Sequence, residues 1–157
     1  MRGTAKSGAI LPTSLVAKLA RTTSKGMENL HQRGHVLGTC KIGTRHGTSW
    51  GYSFSAVVAA RVAADYARTG GALADIRGVL VHLAKSKAIS STIPQDYVVF
   101  TDGAKVRFEG VPTQLDLAAF VVAFVKTSKW LHVIPLGVII SEIVADLEKL
   151  TTEETAA

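Results

Sequence analysis

Apolar residues recur at helical spacing over much of this chain and predict a mainly α structure with small β-hairpins. One helix is predicted from Phe54 to Arg68, capped by Ser53 and ended by Gly70. A second is predicted from about Ala72 to Ser86. We expect this pair to form core through Val57, Val58, Val62, Tyr66, Leu73, Ile76, Val79, Leu80 and Leu83.

Residues 10–34 predict two short helices joined by a tight turn. Thr13 or Ser14 can cap the first helix, and Ser24 can cap a second helix that ends at Gly34. Met27 and Leu30 face inward, whereas the positions between them are polar. This is the pattern of a helix-turn-helix whose second helix reads a DNA groove, and an ordinary amphipathic helical hairpin is the alternative.

Residues 35–52 are rich in glycine and predict a hairpin. Two short β-prone pieces, Val36–Leu37 and Cys40–Ile42, precede a loop of Gly, Thr, Arg and His. We interpret the segment as a wing with Lys41 at its base and Arg45 and His46 at its tip. No phosphate-binding glycine motif is present.

In the last third of the chain, the spacing of apolar residues changes from a helical period to a period of two. Tyr97–Thr101 and Lys105–Glu109 flank Asp102-Gly103 and predict a hairpin, followed by a helix over about Thr113–Val125. The final predicted helix, Pro135–Leu150, carries a narrow apolar seam that needs a partner, which is either its own core or a second copy of the chain. We expect dimerisation through this seam, formed by Leu136, Ile140, Ile143, Leu147 and Leu150.

Positive charge is concentrated at one end of the chain. Residues 1–53 hold eight Lys or Arg against the single acid Glu28, a net of +7, whereas the remaining residues hold ten basic and eleven acidic side chains, a net of −1. A basic block joined to a balanced remainder is typical of a polyanion-binding module on a neutral scaffold. Double-stranded DNA is therefore the expected partner.

Two segments carry a family resemblance. LPTSLVAKLARTTSKGMENLHQRGHV is similar to the opening helix-turn-helix of the MerR family of bacterial transcriptional regulators, and YSFSAVVAARVAADYARTGGALADIRGVL resembles that family's second helix pair. The likeness covers residues 10–85. It implies a winged helix-turn-helix DNA-binding domain over residues 1–86, with a C-terminal α+β dimerisation region over residues 87–157.

The predicted DNA contacts fall into three groups. Lys25, Asn29 and Arg33 would face the major groove, while Thr22, Thr23 and Ser24 would hold phosphates at the helix N-terminus. Lys41, Arg45 and His46 would anchor the wing, and the resemblance adds a phosphate contact from Tyr52. The family's recognition-helix tyrosine pair is absent, and Ala72 replaces its usual capping serine.

The function expected is that of a sequence-specific, homodimeric transcriptional regulator in the cytoplasm, acting on a palindromic site. An antitoxin or a mobile-element excision factor, using the same DNA-binding fold, is the alternative, and a toxin or RNA polymerase is a further expected partner. We expect no membrane partner because no apolar run reaches the length of a span.

No catalytic, cofactor or metal site is expected. Cys40 is the only cysteine, and the cysteine cluster of the metal-sensing members is missing. His35, His46, Asp65 and Asp75 are scattered and form no catalytic motif. An effector pocket walled by Phe124 and Trp130, between residues 97–109 and the last two helices, is an alternative to plain core packing there.

Overall fold

The computed structural model describes residues 9–44, 47–127 and 131–156 as an α+β fold. These ranges contain six α-helices and two three-stranded antiparallel sheets, which confirms the prediction of helices combined with small β-hairpins. A short 3-10 turn, Leu73–Ile76, leads into the fourth helix. The helices are α1 (Thr13–Leu19), α2 (Ser24–Gln32), α3 (Phe54–Arg68), α4 (Arg77–Lys85), α5 (Gln114–Thr127) and α6 (Leu136–Ala156).

The first sheet has the strand order β1-β3-β2 and lies beside α1 and α2. Its strands are β1 (Leu11–Pro12), β2 (Cys40–Thr44) and β3 (Gly47–Tyr52). The hairpin therefore pairs Cys40 with Gly51 and Thr44 with Gly47. The prediction of a strand at Val36–Leu37 is wrong: Val36 is buried in the core instead, and its backbone N–H bonds to the end of α2.

The second sheet has the order β5-β4-β6, with β4 (Val98–Thr101), β5 (Val106–Gly110) and β6 (His132–Ile134). The predicted Asp102-Gly103 turn joins β4 to β5. It packs closely on α4, since a Cβ added to Gly78 would lie 2.0 Å from the carbonyl oxygen of Ala104. Gly103 has a φ of +92°, a left-handed conformation that favours glycine.

Asp102 organises this turn through its carboxylate. One oxygen accepts the backbone N–H groups of Lys105 and Ala104, at 2.7 and 3.0 Å, and the other accepts two bonds from Arg107. The Lys105 N–H bond, aided by Arg107 and Ala104, lowers the pKa of Asp102 to about 2. The turn is therefore held by an ionised side chain.

Asp102→Asn is expected to destabilise the chain by about 2–2.5 kcal/mol at pH 7, the amount that a pKa shift of this size links to folding. Because the folded-state pKa lies below the unfolded value, this stability is present above about pH 4 and is lost as the pH falls towards 2. Urea unfolding at pH 7 and pH 2.5 measures it. Parent and variant should differ at pH 7, and the difference should shrink to about a third of that value at pH 2.5. Equal stability at pH 7, or a difference that does not shrink, would contradict this account of the turn.

One apolar core runs through both halves of the chain and crosses the predicted boundary at residue 86. α3 lies at its centre and packs against both α4 and α6. Leu136, Ile140 and Ile143 are at most 2% exposed, and Leu147 and Leu150 pack against the same cluster. The predicted dimerisation seam is thus covered by the chain's own core. The prediction that these residues form the dimer interface is wrong, because α6 packs them against α1, α3 and β4 of the same chain.

A buried arginine fastens α3 to its neighbours. The Arg61 side chain is 1% exposed, and it donates to Asp65 on its own helix and to Glu142 on α6 at 3.2 and 2.5 Å. It also donates to the carbonyl oxygen of Leu19 at the end of α1, at 3.2 Å, and lies 3.8 Å from Asp146. Three helices therefore meet at one guanidinium.

Candidate nucleic-acid interface

Helix α2 has one buried and one exposed face. Met27 and Leu30 pack into the core, as predicted, whereas Lys25 and Asn29 are exposed. Gln32 is also exposed, and its position seven residues after Lys25 places it on the same outward face. Gln32 was not among the predicted contacts, although its helical spacing from Lys25 was a usable signal.

A cleft borders each side of this outward face. Thr22, Asn29 and Arg33 line a cleft of about 180 Å³ between α2 and α3. Ser24 and Gln32 line a second cleft, of about 560 Å³, between α2 and the first sheet. The structure thus brings together the predicted residues of α2 and its preceding turn along a ridge with two flanks.

The turn before α2 is shaped by Arg21, which has a left-handed backbone φ of 56°. The hydroxyl of Thr23, rather than that of Ser24, caps the helix by accepting the backbone N–H of Gly26 at 3.0 Å. Thr23 and Ser24 are exposed, and Thr22 is half-buried. Exposed hydroxyls beside a helix N-terminus form a setting that favours an anion.

The β2–β3 hairpin is tied to α2 by an aromatic stack. His31 of α2 lies on Trp50 of β3, with ring centroids 4.3 Å apart, and the Lys41 ammonium lies 5.6 Å from the Trp50 ring centre. The backbone N–H of Gly38 donates to His31 at 2.8 Å. These contacts hold the exposed Lys41 next to α2. Sequence reasoning missed the roles of His31 and Trp50.

The predicted tip residues Arg45 and His46 lie outside the described residues. The strands that lead to them are described: Thr44 pairs with Gly47 where β2 and β3 meet the tip.

A second cationic group lies at the C-terminal end of α2. The Arg77 guanidinium donates to the carbonyl oxygen of Arg33 at 2.6 Å, and both arginines are exposed. Burial, followed by the charges of Arg77 and Arg33, lowers the pKa of His35 below its usual value. Arg77 was predicted only as part of the second helix pair, because its proximity to α2 depends on tertiary packing.

Tyr52 does not reach the surface. It is 1% exposed within the core, and burial, followed by the charge of Glu28, raises the pKa of its hydroxyl. The predicted phosphate contact from Tyr52 is therefore wrong for this conformation. An aromatic residue at the end of β3 is packed inward, where the strand meets α3.

Two basic residues of the front third have acidic partners. Lys25 lies 3.3 Å from Glu28 on the same helix, in a pair that is exposed on both sides. Arg21 pairs with Asp146 and Glu142 of α6 at 3.5 and 3.9 Å. An exposed pair such as Lys25–Glu28 is weak and exchanges readily with another anion. Arg21, in contrast, contributes to the attachment of α6.

The candidates for catalysis remain apart in the described residues. Cys40 is exposed on β2, Asp65 is paired with Arg61 and Arg68, and Asp75 lies in the 3-10 turn. Within the described ranges, no three His, Cys, Asp or Glu side chains are grouped so that they could hold a metal ion. Of the helices described, none is both long and apolar enough to cross a bilayer.

A cleft of about 290 Å³ lies between the second sheet and α5, close to where the effector pocket was considered. Its walls include Phe100, Phe108 and Phe120, with ring centroids of Phe100 and Phe120 only 4.2 Å apart. Trp130 lies outside the described residues, as does the side chain of Phe124. Contact between the rings fits the core-packing alternative.

No family model and no curated protein matches this chain.

Proposed function

We propose that this chain is a sequence-specific DNA-binding transcriptional regulator in which α1, α2 and the β2–β3 hairpin form a winged helix-turn-helix. One observation carries the proposal. α2 is anchored to the core by Met27 and Leu30 while it presents a polar ridge of Lys25, Asn29 and Gln32 between two clefts. An exposed helix of this kind fits the width of a DNA major groove.

The ridge offers the chemistry needed to read base edges. Asn29 and Gln32 each carry an amide, which pairs with adenine through two hydrogen bonds, and Lys25 donates to guanine. Lys25 exchanges its weak contact with Glu28 for the base or a phosphate. Each good contact discriminates between bases by roughly 1–3 kcal/mol.

Groups at both ends of α2 and on the hairpin hold the DNA backbone. Thr22, Thr23 and Ser24 bind a phosphate at the N-terminal end, where the helix dipole favours negative charge. Arg33 and Arg77 supply guanidinium groups at the other end. On the hairpin, Lys41 is held beside α2 by Trp50, and we predict that Arg45 and His46 add further phosphate contacts.

Two copies acting together would read a palindromic site, since a two-fold dimer presents two identical recognition helices about one DNA turn apart. Each copy contributes one half-site. The dimer surface is not the α6 seam, because that seam is buried within the chain.

Selection of bound duplexes from a random pool tests the proposal, and is expected to return a two-fold symmetric site. Asn29→Ala and Gln32→Ala should each relax the base preference at one position of each half-site, by about ten-fold or more. Affinity for a non-specific duplex is the control and should change little. Failure to enrich any duplex, or a preference that neither substitution alters, would contradict the proposal.

A further inference from the structure

The outward face of α5 is apolar and exposed. Five aliphatic side chains of this one helix are between 45% and 82% exposed: Leu115, Leu117, Val121, Val122 and Val125. The opposite face, with Asp116, Ala119, Phe120 and Ala123, lines the cleft against the second sheet. α5 is therefore attached along one side and uncovered along the other.

Such a helix is unusual at a free surface. Surface helices of globular proteins carry charged residues on the side away from the core, whereas a helix that is apolar all round is buried. Gln114, Leu117, Ala118, Val121 and Val125 occupy the outward side by helical spacing, and none of them is charged. The face has the composition of an interface core.

A further exposed valine lies on the second sheet. Val133 of β6 pairs directly with Phe100, so the two side chains share one sheet face, and Phe100 stacks on Phe120 of α5. Val133 is 54% exposed beside this contact. We call the surface formed by the five exposed aliphatic side chains of α5 the α5 face.

We propose that the α5 face joins two copies of this chain. The inference deepens the proposed function by naming the surface that pairs the two DNA readers, but self-association is measured without DNA. A second copy suits the face because apolar patches match themselves across a two-fold axis, and homodimer interfaces are more apolar than those of transient complexes.

The α5 face supplies part of the area that a stable dimer buries. A fully exposed Leu or Val side chain offers on the order of 100 Å², so the α5 face presents roughly 300 Å² of aliphatic area per copy. A standard interface buries about 800 Å² per partner, of which about 65% is apolar in homodimers. The α5 face therefore supplies more than half of the apolar share.

Helix geometry favours an antiparallel pair. The 14 residues of α5 span about 21 Å, and the small Ala118 lies near the middle of the outward side. A two-fold axis between Ala118 and Val121 would place Leu117 opposite Val122 of the other copy. A membrane surface suits the face less well, because Lys126 is the only basic residue on α5 and interfacial helices carry many.

The test compares the full chain with Val121→Glu/Val125→Glu by sedimentation equilibrium between 1 and 100 μM in the absence of DNA. Val138→Glu is the matched control, because Val138 is an exposed valine of α6 at 43% exposure. The parent and the control should sediment at twice the 16.6 kDa chain mass, and the α5 variant at one chain mass. A monomeric parent, or a dimer that survives the double substitution, would overturn the inference.

A cross-linking measurement avoids dependence on the folding of the charged variant. In a Cys40→Ser background, a short bismaleimide should link Ala118→Cys covalently into a dimer, whereas Val138→Cys should not be linked. Equal linking at both positions would overturn the proposal. A parent that is monomeric and uses α5 to bind neutral phosphatidylcholine vesicles would also overturn it.

Half-site binding separates this inference from the proposed function. If the α5 variant is a monomer and still binds a single half-site duplex, both the α5-face inference and the proposed function are supported. If no variant and no parent binds DNA, but the parent is a dimer that the α5 substitution splits, the α5 face is supported and the proposed function fails.

Discussion

Replacing Arg61 by methionine is expected to destabilise the fold by about 2–4 kcal/mol, because it removes several charge-assisted hydrogen bonds and leaves a buried carbonyl oxygen without this donor. The Arg61 guanidinium is 1% exposed and contacts Asp65, Glu142 and the carbonyl oxygen of Leu19. Methionine retains an unbranched apolar chain but removes the donor of the Leu19 carbonyl oxygen, and it leaves Asp65 and Glu142 with exposed arginine partners alone. The loss would loosen α6 and the end of α1 together.

Arg68→Met is the matched control. Arg68 lies two helical turns from Arg61 and pairs with the same Asp65, at 2.5 Å, but its side chain is 49% exposed. An exposed pair contributes about 1 kcal/mol at most. Urea unfolding followed by circular dichroism measures both variants. An Arg61→Met midpoint close to that of Arg68→Met would contradict the role assigned to the buried guanidinium.

The proposed DNA-binding surface of α2 and the β2–β3 hairpin is called the reader here. Removing three positive charges from the reader is expected to weaken binding to any duplex by roughly two to three decades at 100 mM salt. Each lost phosphate contact lowers log K by about 0.9 at this salt concentration. The substitutions are Lys25→Gln, Arg33→Gln and Lys41→Gln. All three side chains are exposed and none of them is part of the apolar core, so the fold should persist.

A charge-matched variant controls for net charge. Lys87→Gln, Lys105→Gln and Lys149→Gln remove the same three charges from exposed positions outside the reader. Fluorescence anisotropy on a labelled duplex should show a much smaller loss for this control. Similar losses in both triple variants would mean that overall charge, rather than a defined surface, binds the DNA.

Local signals predicted much of the fold. α3 begins and ends where Ser53 and Gly70 indicated, since a capping hydroxyl and a left-handed glycine act within one turn of the helix. The Asp102-Gly103 turn was predicted for the same reason. The short strand at Val36–Leu37 was wrong because β-propensity is weak, and pairing with Gly47–Tyr52 selected the neighbouring segment Cys40–Thr44.

Tertiary partners were less predictable. The helical spacing of apolar residues identified the stripe from Leu136 to Leu150. It could not show that α1, α3 and β4 of the same chain pack against that helix. The same reasoning gave no sign that the aliphatic side chains of α5 would remain exposed. Arg61 stands among Ala and Val residues, and its four-residue spacing from Asp65 was the only local sign of a buried ion pair.

For the candidate site, helical spacing predicted the polar ridge of α2. It did not predict the residues that pack beside this ridge. The stack of His31, Trp50 and Lys41 joins residues of a helix and two strands, and Arg77 reaches Arg33 across 44 positions of sequence. Tyr52 was misassigned because a resemblance in sequence does not report side-chain burial.

The salt dependence of duplex binding tests the central claim most directly. With four to six phosphates neutralised, affinity for a non-specific duplex should fall by roughly two to three decades between 50 and 200 mM salt, and the triple reader variant should show a slope smaller by about three. A chain that does not bind at 50 mM salt, or whose affinity is the same at both concentrations, would contradict the account.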